Sequence, residues 1–393
     1  MKAKIRVNLL VKILVAILLG IAAGRFFAPW TTRIFVTFNA IFGQLLGFLI
    51  PLIILGFVAP AIADVGRNAG KILVITAGIA YIFTSLAGFY SYAVGSWLFP
   101  KIVHPRSLDS GIATAEQLQP YFNIEMPPVM SVMTALVLAF MLGICMAFLK
   151  TGALKAICDE FRDIVQMTIA RVIIPLLPIY IFGIFLNMTV EGSVAAVLGT
   201  FAGIIGIIFA MHILLLVFQY CLAWLFSRKN PFRSLLTMMP AYFTALGTQS
   251  SAATIPVTLR QTIKMGVSED IAGFVVPLCA NIHMSGSAMK IVACALAIML
   301  MEGLSFDVSM FSGVILMLGI SIVAAPGVPG GAIMASLGVL ASVLGFGESE
   351  QALMIALYIT MDSFGTACNV TGDGAIALII DRYFGNRKQP ARP

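Results

Sequence analysis

Inside the apolar run Gln351 to Ile380 lies Asp362-Ser363-Phe364-Gly365-Thr366-Ala367-Cys368-Asn369-Val370-Thr371-Gly372-Asp373-Gly374. Gly365, Asn369 and Asp373 follow Asp362 by three, seven and eleven positions, so a continuous helix stacks two carboxylates and an amide on one face. A charge at the centre of a membrane helix costs roughly 2.5–3.5 kcal/mol on insertion scales, and such residues face a protein interior or an aqueous cavity. The stripe therefore reads as the wall of a solute or ion site. Its counter-charges lie in Asn281-Ile282-His283-Met284-Ser285-Gly286-Ser287-Ala288-Met289-Lys290, where Gly between serines weakens the helix and frees carbonyls for a cation or solute. Lys290 lies eleven residues before Met301, about 16 Å at the helical rise, too deep to snorkel easily. A buried ammonium needs a carboxylate, and Asp362 and Asp373 are the two expected inside the spans, with Asp373 the preferred partner. A permanent structural ion pair is the alternative reading of Lys290. For His283 the alternative is an imidazole hydrogen-bonded in a helix interface, which is also how His212 reads.

The elements that must position these groups follow from hydropathy. Apolar spans run over Leu9–Phe27, Phe35–Ile62, Ile72–Leu98, Val129–Leu149, Val165–Leu186 and Val194–Phe226. The longest polar stretch, Pro100 to Met126, reads as an extracellular loop. After Arg233 the pattern changes. Residues 231–262 are only moderately apolar and carry Thr248-Gln249-Ser250-Ser251-Ala252-Ala253-Thr254-Ile255-Pro256 at their middle, which suits the tip of a re-entrant hairpin. A full span, Ile271–Met301, follows. Residues 308–344 then form a second interrupted run, with Ala325-Pro326-Gly327-Val328-Pro329-Gly330-Gly331 at its tip. Two successive hairpin-then-helix units are the pattern of inverted repeats, in which broken elements meet at the membrane midplane.

Composition agrees with a membrane location. The chain has 393 residues, of which 60% are hydrophobic and 10% charged, against about 25% charged in soluble domains. Long apolar segments without strand alternation favour helices over a barrel. The net charge of +7 is a topology signal rather than a nucleic-acid one. Most Lys and Arg fall in the terminal tails or in segments on one side, which predicts cytoplasmic N- and C-termini in the plasma (inner) membrane. Six scattered cysteines without CxxC spacing imply neither a disulfide framework nor a zinc site. The basic start and apolar run of residues 1–27 have no small-residue cleavage site before Arg25, so the first helix reads as retained.

The final segment, with Asp362, Thr366, Asn369 and Asp373, resembles the last helix of the dicarboxylate/amino acid:cation symporters, the glutamate transporter family. Thr248 to Pro256 resembles the family's serine-rich first hairpin, and Gly327-Val328-Pro329-Gly330 its second hairpin gate. Tyr81, Thr84 and Ser85 look like the Tyr-x-x-Thr-Ser that lines one sodium site. The resemblance implies a homotrimer with no cofactor. It implies a trimerisation scaffold from 1–66 and 129–191, a transport unit from 68–100 and 194–382 that slides like an elevator, and a cytoplasmic tail at 383–393. It further implies that Asp362 takes a substrate ammonium, that Asn369 takes its carboxylate, and that Thr366, Gly365, Ser250, Ser251, Gly327 and Val328 complete the substrate site.

Departures from the pattern narrow the reading. Acidic-substrate members carry an arginine where this chain has Gly365, and the alternative arginine of the first hairpin is Gln249 here. Without that bidentate donor an acidic side chain is poorly paired, which points to a neutral amino acid. The family's Asn-Met-Asp-Gly-Thr appears as His283-Met284-Ser285-Gly286-Ser287, without its sodium-ligating carboxylate. Hard cations want oxygen ligands and compensating charge. Tyr81, Thr84, Ser85, Ser285 and Ser287 thus read as a vestigial sodium site, the metal itself being unknown. Lys290 reads as a tethered cation in its place, and a proton through His283, Lys290 or Asp373 as the favoured coupling ion over sodium.

Two rivals remain. A sodium-coupled symporter of dicarboxylates or acidic amino acids is one. The other is an intramembrane hydrolase using His283 with a serine, or the two aspartates. The serines lack a strand-to-helix elbow, and aspartates eleven residues apart on one helix sit about 16 Å apart, too far for a catalytic pair. The expectation is an all-α integral membrane protein, not an enzyme. It has eight transmembrane helices plus two re-entrant helical hairpins, as an inverted-repeat elevator transporter. Its partners are an amino-acid substrate, the lipid bilayer and its own copies, with no nucleic acid.

Overall fold

The computed structural model describes residues 9–67, 71–103, 118–149, 152–192, 194–322 and 330–385. The elements are α1 (Leu9–Gly24), α2 (Pro29–Arg67), α3 (Lys71–Leu98), α4 (Val132–Phe148), α5 (Ala153–Thr168), α6 (Ile174–Val190), α7 (Val194–Ser227), α8 (Pro231–Thr248), α9 (Ser251–Lys264), α10 (Glu269–Ile282), α11 (Ser285–Met301), α12 (Val308–Ser321), α13 (Gly331–Leu344), α14 (Glu348–Thr360) and α15 (Asp362–Phe384). A π-turn at Ile169–Ile173 joins α5 to α6. No strand occurs among the described residues. Six helical runs there are long and apolar enough to cross a membrane: Pro29–Ala63, Lys71–Lys101, Ala153–Val190, Val197–Ser227, Glu269–Met301 and Asp362–Phe384. Val11–Gly24 and Thr134–Phe148 are shorter apolar helices.

Two groups of helices pack mainly among themselves. In one, α2 lies along α4, α5 and α6, and α1 lies along α6. In the other, α15 is surrounded by α7, α8, α9, α10 and α11, while α3 lies along α11 and α12. The groups meet where α13 touches α2 and α4, and where α14 touches α1 and α6. The most enclosed runs are Glu269–Met301 and Asp362–Phe384, 94% of whose apolar windows are buried. Polar groups on them face protein rather than lipid, as an intramembrane charge requires.

The breaks expected from small and hydroxyl residues are present. α8 ends at Gln249 in the left-handed conformation, φ 53°. Ser250 then caps α9 by accepting from the Ala253 N–H, and Thr254 donates back to the Ser250 carbonyl, which folds α8 and α9 into a hairpin. α12 and α13 form the second hairpin, packed against one another. Its tip, including Ala325, Gly327 and Val328, lies outside the described residues.

The last segment differs from the expectation of one unbroken helix. It divides at Met361, φ −109° and ψ 11°, so that Asp362 opens α15. The run 269–301 divides at His283-Met284, where His283 is extended and the Met284 N–H donates to Thr84 Oγ1 instead of continuing the helix.

Candidate functional site

Each buried carboxylate meets a basic residue from the α10–α11 run. Lys290 Nζ lies 3.2 Å from Asp362 Oδ1, and His283 Nδ1 lies 2.9 Å from Asp373 Oδ1. Lys290 is 0% exposed and Asp362 4%. This corrects the preference for Asp373 as the partner of Lys290, and the helix break is the reason. His283 is the C-cap of α10, at the break itself, and Lys290 follows it by more than a turn inside α11. The two bases therefore reach different levels of α15.

The Lys290 ammonium is held from three directions. It also donates to the Tyr358 carbonyl at 3.3 Å and lies 3.4 Å from the centroid of the Tyr358 ring, a cation–π contact. Gly365 makes room for it. A Cβ there would stand 2.9 Å from Nζ and 3.2 Å from Cε of Lys290. The missing side chain at 365 and the lysine at 290 thus occupy one volume, so no larger residue fits at 365 while Lys290 stays in place. The second Asp362 oxygen accepts the Gly330 N–H at 2.8 Å, which ties the start of α13 to the start of α15.

Asn369 is fully engaged. Its Oδ1 accepts from the N–H groups of Gly286 (2.8 Å) and Ser287 (3.3 Å), and its Nδ2 donates to Ser287 Oγ at 3.0 Å. It thereby satisfies first-turn N–H groups that α11 cannot pair internally. Gly286 permits the approach, since a Cβ there would lie 2.7 Å from both the Gly365 carbonyl oxygen and Cys368 Cβ. Thr366 donates to the Asp362 carbonyl. Ser251 is buried at the hairpin turn, whereas Ser250 is half-buried. Gln249 Nε2 donates to Ser363 Oγ at 3.1 Å and fixes the first hairpin against α15.

Four of the five residues read as a vestigial sodium site are engaged with other protein groups. Ser285 Oγ accepts from Gln219 Nε2, Ser287 Oγ accepts from the Tyr358 hydroxyl, and Tyr81 donates to the Leu316 carbonyl. Ser85 Oγ is buried with no hydrogen-bond partner. No group of three or more His, Cys, Asp or Glu is arranged to hold a metal among the described residues.

Sequence reasoning missed Gln219 and Tyr358. Gln219 is a single amide in a long apolar helix, and Tyr358 stands one turn before Asp362; neither carries a charge to draw attention. His212 is the hydrogen-bonded imidazole in a helix interface that the sequence suggested, its Nε2 lying 3.3 Å from the Gly286 carbonyl oxygen.

A cavity of about 720 Å³ lies elsewhere, between α2, α6, the 118–125 segment and the start of α14. Glu125, Glu191, Glu302, Glu348 and Glu350 line it. It lies where the two helix groups meet, and Asp362, Asn369 and Lys290 are not in its wall.

The chain is similar to known amino acid transporters. The serine/threonine transporter SstT of Acinetobacter baylyi is 27% identical over 399 residues, covering 96% of this chain and 98% of its own. SstT of Acinetobacter baumannii is 26% identical over 397 residues, covering 96% and 97%. The neutral amino acid transporter B(0) of Mus musculus is 31% identical over 169 residues, which is 43% of this chain and 30% of that protein's length. These relatives are transporters, not enzymes, which removes the hydrolase reading. The model of the sodium:dicarboxylate symporter family matches residues 9–383, and the chain belongs to that family.

Proposed function

We propose that this protein is a secondary active transporter of a small neutral amino acid, with its sodium dependence weakened and proton coupling in its place. The observation that carries the reading is the Lys290–Asp362 contact, with Gly365 leaving the space the ammonium fills. The fixed ammonium satisfies Asp362 when no substrate is bound, and a substrate ammonium displaces it. Neutral substrates follow from the same geometry, because no arginine stands at 365 or 249 to pair with a second carboxylate. The relatives named for serine/threonine and neutral amino acids support this choice.

The donor set fits a sodium ion poorly. Ser285, Ser287, Thr84 and the Asn369 carbonyl oxygen each already accept hydrogen bonds, and the lysine supplies positive charge nearby. His283 with Asp373 is the proton site in this reading. His283 Nε2 and Gln219 Oε1 are both buried without partners, and both border the Cβ position of Gly372: Oε1 and the adjacent ring carbon Cε1 each lie 2.6 Å from it.

In the proposed cycle the α1, α2, α4, α5 and α6 group is the scaffold of a homotrimer. The α3 and α7–α15 group is the moving unit, carrying four of the chain's eight spans and both re-entrant hairpins, and it works as an elevator in the plasma membrane with both termini cytoplasmic. Asp362, Thr366, Gly365, Ser250, Ser251 and, beyond the described residues, Gly327 and Val328 contact substrate. Asn369 takes the substrate carboxylate only after releasing the N-terminus of α11. The Gly330–Asp362 bond closes the second hairpin as a gate.

Uptake of a radiolabelled amino-acid panel into proteoliposomes, with sodium and proton gradients imposed separately, tests the reading. Accumulation of serine-sized neutral substrates under a proton gradient alone is expected. Strict sodium dependence, or preference for aspartate, overturns it.

A further inference from the structure

We infer that the end of the molecule carrying the base of the first hairpin holds a site for a phosphate-bearing anion. A cavity of about 310 Å³ lies there between the α7–α8 link and the α9–α10 link. Lys229, Arg233 and Lys264 line it, and no carboxylate does. Lys229 is fixed in place, donating to the carbonyls of Met265 (2.9 Å) and Gly266 (2.6 Å). Gly266 holds a φ of +85°, and a Cβ on it would lie 2.9 Å from Lys229 Nζ, so the glycine is what admits the ammonium. The cavity also opens on the N-terminus of α8, an 18-residue helix whose partial positive charge favours an anion.

A second observation points to a ligand. Ser234, 6% exposed, lines the same cavity, and its hydroxyl has no hydrogen-bond partner among the described residues. A phosphate oxygen satisfies it together with the cations. The surroundings favour a phospholipid as the source. Phe232, Leu236 and Phe243 share one face of α8 and are exposed, so acyl chains can lie along the helix below the head group. Basic pockets at the ends of membrane helices take anionic head groups in this way.

The test uses the full chain in detergent. Thermal stability is titrated with phosphatidylglycerol and, separately, with inorganic phosphate, for wild type, Arg233→Gln with Lys264→Gln, and Ser234→Ala. Arg233 and Lys264 are exposed, so their replacement leaves the fold intact. Lys71→Gln with Arg382→Gln is the control for an equal charge change elsewhere. Phosphatidylglycerol is expected to stabilise wild type and the control, with the Arg233/Lys264 variant needing roughly 30-fold more lipid, from about 1 kcal/mol per lost cation. Ser234→Ala falls between. Equal stabilisation by inorganic phosphate, lost in the same variants, supports the site with a free anion as its source. The same phosphatidylglycerol dose in wild type and the Arg233/Lys264 variant, with no response to phosphate, overturns it.

Discussion

Replacing Lys290 with methionine keeps an unbranched side chain of similar length and removes the charge. Asp362 then retains the Gly330 N–H on Oδ2 and loses its partner on Oδ1. Removing one member of a buried ion pair costs about 3–5 kcal/mol, most of it from the stranded charge. At roughly 2 °C per kcal/mol for a chain of this size, the unfolding midpoint of Lys290→Met falls by on the order of 6–10 °C. Asp362→Asn strands the ammonium instead and falls comparably. With both changes neither charge is left, and the double variant is expected to recover at least half of the larger loss, a coupling no pair of independent sites gives. The assay is a thermal melt in detergent of all four proteins at one pH. Single variants within a degree or two of wild type, or a double variant that loses the sum of both, would refute the buried pair.

Gly365→Ala places a Cβ against the end of the lysine, a movable group. It is expected to lower the melting midpoint by less than Lys290→Met and to have no further effect in a Lys290→Met background. Gly286→Ala meets backbone and a Cβ at 2.7 Å, so α11 and α15 must separate. The expected cost is about 1–3 kcal/mol, with loss of uptake, read by the same melt and a transport assay. Glu348 lies outside the six long apolar runs, and burial raises its carboxyl above the ordinary range, with the Gln44 hydrogen bond drawing it partly back. A raised carboxyl in the folded state means a penalty that is absent below its unfolded pKa of about 4.3 and complete above the folded one. Glu348→Gln therefore leaves stability at pH 4 unchanged and raises it modestly at pH 8, since Glu348 is exposed and solvent screens the effect.

Much of the architecture was legible because apolar runs in a membrane protein have few alternatives. The segments 9–27, 72–98 and 194–226 all became helices close to their expected bounds. Thr248 to Pro256 announced a hairpin turn through residues that cap helices and tolerate non-helical backbone. What failed was the pairing of Lys290, because spacing alone does not say how a broken run is turned. The break falls at His283 and Met284, and the helix that carries Lys290 starts afresh after it. A glycine's meaning was also only half visible. Gly365 read as a missing arginine, whereas its neighbour in space is a lysine 75 positions earlier in the chain. Gln219 went unnoticed because one neutral amide hardly alters the hydropathy of its helix, although it donates to Ser285 and borders the His283 ring.

The most direct measurement of the tethered cation is the affinity of the purified protein for serine in sodium and in choline, by calorimetry. With Lys290 supplying the charge, wild-type Kd is expected to agree within about twofold between the two salts, and Lys290→Met to bind only when sodium is present. A wild-type Kd that weakens by an order of magnitude or more without sodium contradicts the role given to Lys290.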